Sequence, residues 1–227
     1  MKYSAIITDI EGTTSRISFV TEILFPYAAA QLPAFIQANA DKPAVAEQLN
    51  ACRSLMQQAD ASIAAISAQL LQWIATDQKI TPLKALQGMV WQHGYQSGAF
   101  KGHVYADVHA ALSRWQQLGV KLYVYSSGSV QAQQLLFQYS DFGDMTPLFS
   151  GYFDTRIGAK RELSSYAAIL QQLQLPPKQV LFLSDVVAEL DAATQLGIAT
   201  MQLIRDGQAA SGHAIAHNFT EVMEQTE

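Results

Sequence analysis

From Gly98 and Gly102 onward, strand-like apolar runs and amphipathic helix patterns alternate to about residue 204, and few folds accommodate that rhythm. Tyr105–Leu118 has the spacing of an amphipathic helix closed by Gly119, and Val120–Tyr125 reads as a strand running into Ser126-Ser127-Gly128-Ser129. A helix follows over about 130–139, a short strand within Phe149–Phe153, and a helix over Leu163–Leu173 that stops before Pro176-Pro177. Val180–Leu183 is a strand, 186–196 a helix capped by Gly197, and Ala199–Ile204 a last core strand; 206–218, rich in Gly, Ala, Ser and His, reads as a loop. Residues 4–10 add one more buried strand at the start, ending in Asp9 and Gly12. Strands alternating with helices predict a doubly wound α/β core, a parallel sheet with helices on both faces.

Between the first strand and this alternation the pattern changes. From about 20 to 97 Ala, Gln and Leu dominate, and Ile63, Ile66, Leu70 and Trp73/Ile74 recur at three- and four-residue intervals. Asp41-Lys42-Pro43 and Thr81-Pro82 read as helix starts. The expectation is an all-helical insertion over 17–99, with the α/β core built from 1–16 and 100–227.

Composition narrows the function classes. The chain is 49% hydrophobic but only 15% charged, so a large core is available and neutral polar groups must cover much of the surface. A net charge of −5 argues against general affinity for nucleic acid or an anionic membrane. Cys52 is the only cysteine and lies in a helical stretch, which predicts a buried, inert thiol in a reducing compartment. No signal peptide is recognised, and no stretch is expected to approach the ~20 apolar residues of a membrane span, so the expected location is cytoplasmic.

In an open parallel sheet, ligands bind beyond the carboxyl ends of the strands. Three of the strands end in chemistry: Asp9 and Glu11, Ser126 and Ser127, and Asp185, with Lys160 in a turn before a helix. Carboxylates, hydroxyls and one ammonium around a crevice suit phosphoryl transfer. A carboxylate attacks phosphorus to form an aspartyl-phosphate, Mg2+ sits on hard oxygens, and Lys160 with the Ser126/Ser127 donors holds the phosphoryl oxygens.

In this order the residues resemble the four motifs of the haloacid dehalogenase-like phosphatases. More narrowly, Thr8-Asp9-Ile10-Glu11-Gly12-Thr13-Thr14, Leu24-Phe25-Pro26-Tyr27, Tyr125-Ser126-Ser127-Gly128-Ser129, Gly151-Tyr152-Phe153-Asp154-Thr155 and Leu183-Ser184-Asp185-Val186-Val187-Ala188-Glu189-Leu190-Asp191 resemble the enolase-phosphatase (acireductone synthase) branch. The resemblance implies a Rossmann-like core with the helical insertion as a cap, and one Mg2+ per subunit. It implies conversion of 2,3-diketo-5-methylthiopentyl 1-phosphate to the acireductone 1,2-dihydroxy-3-keto-5-methylthiopentene plus phosphate in methionine salvage. By position, Asp9, Glu11 and Lys160 match the catalytic groups, Ser126, Ser127 and Lys160 the substrate contacts, and Asp9, Glu11 and Asp185 the metal site. Glu11 stands where most of the superfamily has Asp. Its role stays open between acid to the leaving oxygen, metal-site oxygen and base for enolisation. The expected partner is a small phosphorylated diketone, acted on by a monomer. The neighbouring alternative is another Mg2+-dependent sugar-phosphate phosphatase or phosphomutase of the same superfamily.

Each motif alone has a plainer meaning. Asp9 and Gly12 suit any turn, Ser126–Ser129 suits a helix cap, Lys160 a solvated charge, Asp185 a cap for the helix at 186, and Glu189 a helix-face charge one turn on. Phe19, Phe25 and Tyr27 fit either a substrate tail or core packing.

Overall fold

Strand β1 (Ala5–Thr8) is buried on both faces at the middle of a six-stranded, all-parallel sheet. The structure is a computed structural model, and it describes residues 2–76 and 78–226. The other strands are β2 (Lys121–Tyr125), β3 (Gly151–Phe153), β4 (Val180–Ser184), β5 (Ala199–Leu203) and β6 (Ala214–Ala216), in the order β3-β2-β1-β4-β5-β6. The chain winds outward from β1 to β3, then returns through β4 to β6. The order therefore reverses between β1 and β4, where Thr8 pairs with Leu183. A crevice at the carboxyl ends of these two strands is where such sheets bind ligands.

β1 and β4 are continuous apolar runs because both of their faces are covered. On one face Ala5, Ile7, Val180 and Phe182 pack with Tyr166 and Ile169 of α7 (Leu163–Leu173) and Leu190 and Ala193 of α8 (Val187–Thr194). Elsewhere in the core Trp115 of α5 (Ala106–Gln117) meets Phe219 of α9 (Phe219–Thr226), ring centroids 5.7 Å apart. Burying each such side chain contributes about 1.5–3 kcal/mol. Helix α6 (Val130–Gln138) completes the set and is capped by Ser129, whose hydroxyl accepts the N–H of Ala132.

The chain divides into two units, Met1–Ile17 with Lys101–Glu227, and Ser18–Phe100. In the second, a π-helical turn (Phe19–Leu24) runs into α1 (Phe25–Asn39), followed by α2 (Pro43–Met56), α3 (Ile63–Ala75) and α4 (Thr81–Ser97). Both Pro43 and Pro82 occupy the first helical turn, as their sequence contexts predict. The N-caps are Lys42, Ser62 and Ile80, so Thr81 lies just inside its helix. Leu32, Ile36, Leu49, Cys52, Ile66, Leu70 and Leu86 form this unit's core. Burial pushes the Cys52 thiol up to about 11, which leaves it un-ionised at neutral pH. Phe19 and Tyr27 pack edge-on against Phe100, and Phe25 stacks on Trp91, so these rings have core partners within their own unit.

Two sequence expectations need correction. The 206–218 loop contains β6, a three-residue edge strand too short to leave a periodic signal. The run Phe19–Asn39, 21 residues long, is long and apolar enough to cross a membrane by length and composition alone. Ala28, Leu32 and Ile36 on that run are fully buried in the helical core, which is how a core helix spends its apolar face.

Candidate active site

Asp9 follows β1 directly, continues the ladder through its N–H to Leu183 O (2.9 Å), and is 4% exposed. The chain then turns tightly. The N–H groups of Thr13, Thr14 and Ser15 all donate to Ile10 O, and Gly12 N–H donates to Ser15 O at 2.7 Å. Gly12 has φ +79°, and a Cβ there would collide with the Asp185 carboxylate. Sequence thus brings the two strand ends together. Glycine lets the first turn pass against Asp185, while the Thr13 hydroxyl accepts the Asp185 N–H (3.0 Å) and donates to its Oδ1 (3.5 Å).

Lys160 arrives on the turn before α7. Gly158 there has φ +137° and a carbonyl that accepts the Tyr125 hydroxyl at 2.9 Å, and Lys160 O accepts the Tyr166 hydroxyl at 2.6 Å. These bonds aim the side chain inward. Lys160 Nζ lies 2.5 Å from Asp9 Oδ1 and 2.6 Å from Glu189 Oε2. Burial alone would push the ammonium down, but Asp9 and Glu189 more than offset it, and its pKa stands above the ordinary lysine value. Glu189 also accepts the Ser184 hydroxyl at 2.9 Å. Burial, and then Asp9, push its carboxyl up. Burial first and Asp9 second raise Asp185 to about 7.

The remaining motif residues occupy the neighbouring loop. Ser126 is buried, its N–H bonded to Phe153 O (3.2 Å) and its Oγ accepting Gly128 N–H (3.1 Å), whereas Ser127 is exposed. Asp154, 5% exposed, accepts the Val130 N–H at the start of α6 and the Arg156 N–H, and Gln133 donates to Phe153 O and Gly128 O. Glu11 is half-buried in the turn, bridged to Ser15. Asp185 does not cap α8. The N-cap of that helix is Val186, whose own N–H is taken by Ser184 Oγ.

Asp9, Glu189 and Asp185 set three carboxylates against one ammonium, an excess of two negative charges when all are ionised. Among the described residues, no three His, Cys, Asp or Glu side chains gather as a metal-holding group. Lys160 engages both Asp9 and Glu189, and Asp9 and Asp185, at the two adjoining strand ends, are the carboxylates that would face a cation. Two hard carboxylates with excess negative charge fit Mg2+, which is commonly held by one or two carboxylates, waters and a substrate phosphate.

The sequence reading undervalued Glu189 and Thr13. Glu189 is one turn from Asp185 in sequence, but its burial against Lys160 is a tertiary fact. Arg205, a single charge after a strand in sequence, likewise gives no sign there of its burial.

A family model of haloacid dehalogenase-like hydrolases matches residues 3–197. The chain is 56% identical over 219 residues to "Enolase-phosphatase E1" of Pseudomonas syringae pv. syringae (strain B728a), covering 96% of each. It is 55% identical over 223 residues to the protein of that name in Pseudomonas aeruginosa (strain UCBPP-PA14), covering 98% of this chain and 99% of the other. Among solved structures, the UTR4 protein of Saccharomyces cerevisiae superposes with a TM-score of 0.82 at 38% identity, covering 95% of this chain and 98% of that one.

Proposed function

The chain belongs to the enolase-phosphatase E1 family of haloacid dehalogenase-like hydrolases, and from that premise we propose how its site works. It is an enolase-phosphatase of methionine salvage. The substrate we assign is 2,3-diketo-5-methylthiopentyl 1-phosphate. Enolisation takes a proton from C1 and delivers one to the adjacent carbonyl oxygen. Asp9 Oδ then attacks phosphorus, the bond to the C1 oxygen breaks, and acireductone leaves with a proton. Water opens the aspartyl-phosphate and returns Asp9 and inorganic phosphate.

The observation that carries this reading is Lys160 Nζ, held 2.5 Å from Asp9 Oδ1 at the strand-order switch. The ammonium fixes the nucleophile and neutralises charge on the transferring phosphoryl group. Mg2+ is the cofactor we assign, one per subunit, with Asp9, Asp185 and an oxygen of Glu11 as its protein ligands. When bound, it offsets the repulsion between an anionic nucleophile and an anionic phosphate. Ser126 and Ser127 contact the phosphoryl oxygens. Glu11, two residues past the nucleophile, is the proton-transfer group. The helical unit serves as the cap that keeps water from the reaction. The enzyme works as a cytoplasmic monomer.

The test follows the diketo phosphate spectroscopically with Mg2+ in wild type, Asp9→Asn and Glu11→Gln. Asp9→Asn abolishes phosphate release, while normal turnover in it refutes the assignment. A panel of sugar phosphates turned over as well as the diketo phosphate would favour a general phosphatase.

A further inference from the structure

Arg205 is the second residue past β5, on the same edge of the sheet as Asp9 and Asp185. A lone arginine after a strand reads as a surface charge, yet its side chain is 6% exposed. Its Nε donates to Thr13 O at 3.1 Å, and one terminal nitrogen donates to Asp107 Oδ2 at 2.8 Å. The guanidinium lies 4.3 Å above the Tyr105 ring. Asp107 Oδ2 also accepts the Phe219 N–H (2.7 Å), and the Tyr105 N–H donates to Thr14 O (3.0 Å). The start of α5, the start of α9 and the nucleophile turn are thus tied at one buried fork.

The receiving end of that fork is specific. Thr13 O takes the arginine, and Thr13 Oγ1 makes both contacts to Asp185. A buried guanidinium bonded to a main-chain carbonyl is costly to arrange unless its bonds are satisfied and its geometry is needed. We infer that Arg205 is a positioning residue, acting through Thr13 to hold the Asp185 carboxylate at its working distance from Asp9. The inference rests on the metal-site reading above. Groups that orient ligands from behind typically account for 10–100-fold in metal affinity or activity. Lysine is not an equivalent, because one ammonium cannot span Thr13 O and Asp107 with the planar fork of arginine.

The experiment titrates metal-free wild type, Arg205→Lys, Arg205→Ala and Asp9→Asn with Mn2+, reading free ion by electron paramagnetic resonance. Steady-state kinetics on the diketo phosphate with Mg2+ run alongside. We expect both Arg205 variants to bind Mn2+ about tenfold more weakly or worse. Their kcat falls about 10–100-fold while KM stays within about twofold. Added guanidinium ion, well below denaturing concentration, restores part of the kcat of Arg205→Ala and none in wild type. If Arg205→Ala does not fold, Arg205→Lys decides the matter. Folded Arg205 variants with wild-type Mn2+ affinity and kcat overturn the inference while leaving the site reading intact. Equal Mn2+ binding by wild type and Asp9→Asn overturns the site reading, and the inference with it.

Discussion

The Nζ of Lys160 stands 2.5 Å from Oδ1 of Asp9, although the two residues are 151 positions apart in the chain. Removing the ammonium as Lys160→Met leaves Asp9, Glu189 and Asp185 mutually repelling in a buried site. Phosphate release should fall by about 10²–10³-fold, the usual loss for one charge-stabilising group. Breaking a buried pair by deleting one partner also costs about 3–5 kcal/mol, so the melting temperature should drop as well. A variant with wild-type kcat would remove Lys160 from the mechanism.

Gly12→Ala should be disabling out of proportion to its size. The residue sits at φ +79°, and the added methyl would meet the Asp185 carboxylate. Forcing an ordinary residue into that conformation costs about 1–3 kcal/mol. The displaced carboxylate should lower kcat by at least about tenfold. Steady-state kinetics and a thermal melt on one preparation check both effects.

Metal-free protein should lose stability as pH rises from about 4 to 7. The folded state holds the Asp185 proton up to about 7, against an ordinary value of 3.8. Across that window the folded form binds more protons than the unfolded one, so each step up in pH favours unfolding. The contribution is fully present below about 4 and gone above about 7; the full shift corresponds to about 4 kcal/mol, and solvent screening of this partly exposed group brings it to the order of 3 kcal/mol. Urea titrations of metal-free protein at pH 5 and 8 measure it. Asp185→Asn should flatten the difference, and an unchanged slope in that variant would contradict the assignment.

Cys52 should resist thiol reagents in the native protein and react on unfolding. Its thiol is fully buried in the helical unit, and burial pushes its pKa to about 11. Labelling with a disulfide reagent at pH 8, with and without denaturant, reads this directly. Stoichiometric labelling of the folded protein would contradict that burial.

Much of the architecture was legible because β1, β2 and β4 are apolar runs bounded by Gly, Pro or Ser/Asp turns, and α5 and α7 carry clear helical stripes. β6 was not legible, since Ala214-Ile215-Ala216 is a strand only by virtue of pairing with β5. The polar residues at strand ends mark the neighbourhood of the site in the sequence itself. Its wiring was hidden, because Glu189, Thr13 and Arg205 gain their meaning from partners between 29 and 192 positions away. A charged residue's burial is a property of the fold, so a helix-face glutamate and a loop arginine looked ordinary in sequence.

The most direct test of a nucleophile at Asp9 is to acid-quench the enzyme during turnover of the diketo phosphate and locate the phosphoryl group by peptide mass spectrometry. The account predicts acid-stable, base-labile phosphate on the peptide carrying Asp9, absent in Asp9→Asn. A phosphoryl group on any other residue, or continued phosphate release by Asp9→Asn, would contradict it.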